Sequence, residues 1–523
     1  MFALISITSL LLAASLMTVM RIWRPGFGYQ WLIAVGGGFA AWLIVLYSYT
    51  RIPENLQMLS WGPQTSYSNS IQFSLDQISW PFAAALGTLL LATLLSDVVR
   101  AYELSWSNWA SSLVIIAIGL MGVYSANLLT FVLVWVGFDL TVLIVLLLQF
   151  ESERLRRRTI NAFFIHLIGT FLLLIAGVIS ASDNSSVLLE QPSAMAVLFV
   201  LLAAGFRFGA LPIDSQMLDD PDSRRSFGTI RSLASMGIVS VLLVRTSGAM
   251  ENVNLEGYLW PVFFSLVGLS ALTYGFIWFT SRDELQGRQA WILGFGMLII
   301  GSTMQAELDS SLSWALASIF SGGLIFLASV RHRITLWITL LGVIGISTLP
   351  FTAAWSGLAL FSSPLRISLI FYFFSIILMI AGYARLAAKP SPDTGGHERW
   401  IQVIYPAGLI LLPVTHLVIG LIYMPNIGEI PLLAWIISTL IIILAMAGFI
   451  WQRRGGAVPA GLVDGLSMFL NYSWLRGLIL VISIQLSRLM SFISSVLEGE
   501  GGILWVILSI VLFLATLLIS IGN

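Results

Sequence analysis

Ala126-Asn-Leu-Leu-Thr-Phe-Val-Leu-Val-Trp135-Val-Gly-Phe-Asp139-Leu-Thr-Val-Leu-Ile-Val-Leu-Leu-Leu-Gln149 is long enough to cross a bilayer and carries one ionisable side chain, Asp139, near its middle. A span needs about 20 apolar residues, and a charge at bilayer centre costs about 2.5–3.5 kcal/mol on insertion scales. A carboxylate held there points to function and needs a partner. The candidate partner is Arg207, alone in a second apolar stretch that Pro212 interrupts.

Apolar runs of this kind recur along the 523 residues, of which 58% are hydrophobic and 10% charged. They are continuous rather than alternating, which specifies an all-α polytopic membrane protein and excludes a β-barrel. Cysteine is absent, so thiolate-held iron–sulfur clusters, c-type haem and disulfides are excluded. The net charge is zero with no basic tail, a balance that implies no nucleic-acid partner. No soluble domain interrupts the spans. Nucleotide or redox chemistry therefore belongs to partner proteins, and no catalytic residue, cofactor or metal site is expected in this chain.

Spans are expected near 2–20, 30–50, 79–98, 109–125, 127–149, 160–180, 194–213, 227–246, 259–280, 290–304, 312–330, 334–361, 365–386, 400–422, 432–451 and 502–521, about sixteen in all. The first run has no basic residue before it and Arg21 and Arg24 directly after it, so it reads as a helix entering from outside rather than a cleaved signal. Alternate loops then divide by charge. One side receives Arg21, Arg24, Arg100, the Arg154–Arg158 cluster, Arg225, Arg282, Arg333, Lys389 and Arg453, and the other has little beyond Arg51, Arg245 and Arg366. This bias sets the N-terminus outside, in the cell inner (plasma) membrane. Between 461 and 500 the longest uncharged run, Gly477 to Ser487, is too short to span comfortably. An amphipathic helix along the membrane or a neighbouring subunit fits it better.

Two spans are broken by proline. The seventh reads Ala204-Gly-Phe-Arg207-Phe-Gly-Ala-Leu-Pro212 and the twelfth Gly345-Ile-Ser-Thr-Leu-Pro350-Phe-Thr-Ala-Ala-Trp-Ser-Gly357. Proline removes a backbone donor and opens the helix locally. The two breaks lie an odd number of spans apart, so the second would be inverted in the membrane. Prolines are common in membrane helices, but paired breaks in the two halves of a chain are a pointer to a transport path. The expected organisation is N-terminal helices over 1–108, inverted repeats over 109–246 and 259–386, further core helices over 400–451, and a lateral amphipathic helix with a final span over 461–523.

These residues carry a resemblance. Ser74-Leu-Asp76-Gln-Ile-Ser-Trp-Pro81-Phe82 is similar to the Asp-Gly-Leu-Ser-x-Pro-Phe entry to the third helix of the antiporter-like membrane subunits of NADH:quinone oxidoreductase (complex I), Mrp-type sodium/proton antiporters and membrane-bound hydrogenases. The stretch from Asn127 to Asp139 resembles the fifth-helix motif of that family, where the acid is usually glutamate. Arg207 stands five residues before Pro212, where the family has lysine, and Asp219 matches an aspartate of the following loop. The resemblance covers nearly the whole chain. It implies a bundle of two inverted five-helix repeats with a lateral arm, and translocation of protons (or sodium) driven by redox or ion gradients. It also implies homologous membrane subunits and redox subunits as partners.

The sequence departs from that pattern in ways that matter. Asp139 can titrate, with desolvation and Arg207 acting on it in opposite senses. Arg207 does not release a proton in a protein and acts only as a fixed charge. The eighth helix, where the family has a relay lysine, reads Ser232 to Val244 without a titratable group. The interiors of spans ten to twelve carry no Asp, Glu, Lys, Arg or His, and the family's exit-side charge is replaced by Trp355-Ser-Gly-Leu358. His166 and His416 are the other relay candidates, although a membrane histidine is more often an interhelical hydrogen bond. As a haem pair they are far apart in sequence. Trp106, Trp109, Trp135 and Trp260 read as interface anchors rather than a quinone site. Three functions stay open: a proton-translocating subunit, a structural subunit of the same assembly without transport, and a stand-alone secondary transporter.

Overall fold

In the computed structural model the chain is described over residues 1–58, 70–100, 104–150, 152–182, 189, 192–209, 221–252, 259–330, 333–350, 352–362, 367–389, 398–423, 432–456, 485 and 488. Pro212, Asp219, the segment 461–500 except for residues 485 and 488, and the expected span 502–521 lie outside the described residues.

The elements in order are α1 (Phe2–Trp23), α2 (Gln30–Ser48), β1 (Glu54–Gln57), β2 (Gln72–Leu75), α3 (Ser79–Ser96), α4 (Trp106–Tyr124), α5 (Leu128–Gln149), α6 (Glu153–Ser182), α7 (Ala194–Phe208), α8 (Pro221–Thr246), α9 (Leu259–Thr280), α10 (Arg288–Met304), α11 (Leu308–Leu327), α12 (Arg333–Ile346), α13 (Leu369–Ala387), α14 (Arg399–Ile422) and α15 (Leu432–Arg453). Each span expected before residue 456 coincides with one helix. Twelve of them are long and apolar enough to cross a membrane; α7, α10 and α12 are shorter. The protein is an all-α, multi-pass membrane protein.

The two broken spans end earlier than their apolar runs. The seventh, expected to 213, stops at Phe208, and the twelfth, expected as one run to 361, is α12 to Ile346 followed by a 3₁₀ segment, Trp355–Phe361. Phe208 and Ile346 each stand four residues before a proline, Pro212 and Pro350. Proline removes a backbone donor and disfavours the helical conformation of the residue before it, so each helix ends ahead of its proline. Gly209 completes the first stop in the left-handed region at φ 83°, and the Gln289 side chain of α10 donates to the freed Phe208 carbonyl at 3.0 Å.

Burial divides the helices into two kinds. α3, α8, α10 and α11 are buried on nearly all sides, and α11 is lined by Ser310, Ser311, Ser313, Ser318 and Ser321, small polar residues whose hydroxyls bond backbone or the Ser302 and Thr303 hydroxyls of α10. Outer helices such as α5, α6 and α15 turn Leu133, Ile144, Phe171 and Ile443 outward, an apolar surface that only lipid or a neighbouring subunit could cover.

α3 and α8 are pinned together at both ends. At one end Asp97 accepts from Ser226, from Trp109 Nε1 at 3.2 Å, and lies 3.7 Å from Arg100, which donates to Ser226 at 2.7 Å. Trp109 is thus a buried donor, not an interface anchor. At the other end Arg245, buried, donates to Asp76 at 2.6 Å, and Asp76 caps the first turn of α3 by accepting from Ser79 N at 2.7 Å. Burial pushes the Asp76 carboxyl up, but Arg245 and the Ser79 hydrogen bonds outweigh it and hold it below its ordinary 3.8. Arg245→Met is expected to cost about 1.5–3 kcal/mol, the range for a hydrogen bond to a charged group. Thermal unfolding of the solubilised chain reads this cost. A depressed carboxylate contributes its stability above its unfolded pKa and loses it as pH falls through the lowered folded value. The deficit of Arg245→Met against wild type should therefore be largest near neutral pH and shrink as pH falls through the carboxylate range, because burial raises the Asp76 carboxyl once Arg245 is gone.

Candidate functional site in the membrane interior

The site begins with how α5 and α7 are set. The Asn127 side chain caps α5 by accepting from Thr130 N at 2.8 Å, while its amide holds the Ser70 carbonyl at 2.9 Å. Thr130 accepts in turn from Gln72 N of β2 at 2.9 Å, so the short antiparallel pair β1–β2 fixes the start of α5. Trp135, Phe138 and Asp139 then share one face by the i, i+3, i+4 rule. Arg207 occupies the last turn of α7, where the partial negative charge of the helix end favours a cation.

The structure brings the three sequence candidates together. Arg207 Nη1 is paired with Asp139 Oδ2, and His166 Nδ1 of α6 lies 3.1 Å from the other carboxylate oxygen, Oδ1. The Asp139 and Arg207 side chains are 3% and 0% exposed and that of His166 is 25%, so the imidazole is the member in contact with the surroundings. Arg207 also donates through Nε to Ser235 of α8 at 3.0 Å, and its guanidinium lies 4.7 Å from the Trp135 ring centre and 5.2 Å from that of Phe138. Trp135 is therefore a wholly buried cation–π partner and not an interface anchor.

Around the trio is a cavity of about 90 Å³, which α8 and α10 complete with Arg231, Ser232 and Gln289. That is room for about three waters at ~30 Å³ each, and well below the ~300–1,000 Å³ of pockets that enclose organic ligands. Arg231 was missed because it precedes by one residue the stretch of the eighth helix compared with the relay motif. It is buried and adds a second fixed cation to the cavity. Its signal was legible: an arginine inside an apolar span.

The second broken helix has its own surroundings. Its freed carbonyls accept from buried hydroxyls: Ser438 donates to Thr348 O, Ser313 to Ala353 O at 2.9 Å, and Ser310 to Gly357 O at 2.9 Å. No ionisable group of α10 to α12 stands there, but α14 supplies one. His416, 1% exposed, stacks on Phe320 of α11 at 4.9 Å, and a Cβ added at Gly345 of α12 would come within 2.7 Å of its Nδ1. Its Nε2 is buried without a hydrogen-bond partner among the described residues. The two histidines thus serve separate places and do not form a pair.

No protein-family model and no curated protein matches the sequence. Solved structures do. A chain of the archaeal membrane-bound sulfane sulfur reductase, a respiratory membrane complex, superposes with a TM-score of 0.67 at 15% identity, over 98% of this chain and 99% of that one. A chain of the Mrp complex of Dietzia sp. matches at 0.72 and 12% identity, over 99% of this chain and 63% of that one. A chain of respiratory complex I from Thermus thermophilus matches at 0.57 and 15% identity, over 80% of this chain and 98% of that one. The chain has the fold shared by membrane subunits of these complexes, as the motifs from Ser74 to Pro212 lead one to expect.

Proposed function

We propose that this chain is an ion-translocating membrane subunit of a complex I-like or antiporter-like assembly, with Asp139 as the proton-binding group. The observation that carries the reading is the Asp139 carboxylate shared between Arg207, which cannot release a proton, and His166, which can. With Arg207 fixed, a proton added to His166 or Asp139 changes the charge of the trio by one. That is the minimal chemistry of a relay in a membrane interior. A cavity sized for water supports proton passage and argues against a stand-alone carrier of organic solutes.

The fold likeness supports homologous membrane subunits as partners. Redox subunits or an ion gradient as the energy source and a plasma-membrane location complete the proposal, and the charge bias of the loops supports the N-terminus outside. The matched stops of α7 and α12, each four residues before a proline, support two inverted repeats over 109–246 and 259–386. The test is proton uptake by vesicles containing the complete complex, with Asp139→Asn; unchanged uptake would leave a structural subunit.

We also propose His416, which packs against the second broken helix, as the relay candidate of the second half. His416→Leu removes a buried Nε2 that has no hydrogen-bond partner among the described residues, so it should leave the thermal midpoint unchanged or raise it. Proton uptake should fall by about 10²-fold, the lower end for loss of a positioned proton-transfer group. A variant that unfolds like wild type and pumps like wild type would reduce His416 to packing.

A further inference from the structure

A second cavity, about 560 Å³, lies away from the Asp139 site, where α12, α13 and α15 meet the loop after α9. Arg282, Arg385, Lys389 and Arg453 surround it, with Leu336 and Phe449 among its apolar walls. All four cations stand at positions that the loop charge bias assigns to one side of the membrane, and no carboxylate is among the described lining residues.

The positive-inside bias alone would scatter such charges over the surface. Here they converge on one cleft, and two are held from behind. Arg385 donates to the Ser281 carbonyl, and Lys389 donates to the Arg282 carbonyl at 2.7 Å. Arg385 Nε is buried without a hydrogen-bond partner among the described residues. The cleft is graded with depth. Phe449 lies one turn deeper in α15 than Arg453, and Leu336 lies one turn inside α12 from its start at Arg333. A cationic mouth over an apolar floor, at the level where spans end, matches a molecule with an anionic head and a hydrocarbon tail.

We propose that this cavity binds one anionic phospholipid, its phosphodiester among Arg282, Arg385, Lys389 and Arg453 and an acyl chain along Leu336 and Phe449. The lipid would tie α12, the broken helix, to α13 and α15.

The test uses the full chain, purified in detergent, with phosphatidylglycerol, phosphatidylcholine or inorganic phosphate added and bound lipid counted by native mass spectrometry. Wild type should retain one phosphatidylglycerol in preference to phosphatidylcholine. Lys389→Gln/Arg453→Gln, two exposed side chains whose loss spares the fold, should weaken retention about 30-fold, from about fivefold for each cation near a membrane surface. Leu336→Trp, which fills the floor and keeps every charge, should also expel the lipid. Equal retention of both lipids, or unaltered retention by the double variant, overturns the proposal. Displacement of the lipid by millimolar inorganic phosphate, with Leu336→Trp unaffected, overturns it in favour of a free-anion site.

Discussion

Asp139→Asn should abolish proton uptake by the assembled complex while leaving the chain folded. Asparagine keeps the shape and both hydrogen-bonding positions toward Arg207 and His166, but it neither binds nor releases a proton. Loss of a positioned proton-transfer group costs about 10²–10⁴-fold in rate. Asp139 joins Arg207 to His166, so the effect should lie at the upper end. The variant leaves Arg207 without its counter-charge, so a moderate loss of stability accompanies it, and uptake must be normalised to folded, assembled complex. His166→Gln is the companion measurement. It keeps a neutral hydrogen-bonding group beside Asp139 Oδ1 but removes the more exposed titrating ring, so it should slow uptake without eliminating it. Wild-type uptake by Asp139→Asn would mean that the carboxylate serves helix packing alone.

The pair at the centre of this expectation was legible because its signal is local. One carboxylate in an uninterrupted apolar run, and one arginine five residues before a proline, stand out against 58% hydrophobic residues. His166 was legible as a candidate, but its aim at Asp139 was not, since α5 and α6 meet through tertiary packing that no spacing encodes. Trp135 was misread for the same kind of reason. Tryptophans concentrate at membrane interfaces, whereas Trp135 lies on the Asp139 face of α5, and a guanidinium stacked on its ring gives it a place in the interior. The i, i+4 spacing of Trp135 and Asp139 was the clue.

The fold was legible further than the site. Helix positions follow from apolar length, which the bilayer imposes, so one helix falls in every expected span through α15. Where the apolar run overstated a helix, the sequence places a proline four residues after the helix's last residue. Harder to foresee were long-range polar locks such as Asp76–Arg245 and Asp97–Ser226, which join residues 169 and 129 positions apart. The apparent emptiness of the second half had the same origin. Spans ten to twelve do lack ionisable groups, yet His416 reaches them from α14 because the bundle folds back on itself.

Arg207→Leu should produce the largest loss of stability of any single change considered for this site. It strips the Asp139 carboxylate of its charge partner in a site that is 3% exposed, and breaking a buried pair from one side costs about 3–5 kcal/mol. It also removes the cation–π contacts with Trp135 and Phe138 and the bond to Ser235. If the cost is mainly the stranded charge, Asp139→Asn should rescue it. The double variant should then be more stable than Arg207→Leu alone, and a thermal-unfolding cycle should give a coupling of about 0.5–3 kcal/mol. Arg207→Lys separates charge from geometry. An ammonium keeps the counter-charge but reaches one partner where the guanidinium fork reaches Asp139 and Ser235 together. Stability should fall less than in Arg207→Leu, and uptake should persist with an altered pH profile, because the partner of Asp139 can then titrate. An Arg207→Leu chain that unfolds with wild type would show that the pair does not hold the helices, and an Arg207→Lys profile superposable on wild type would show that its charge does not govern proton release.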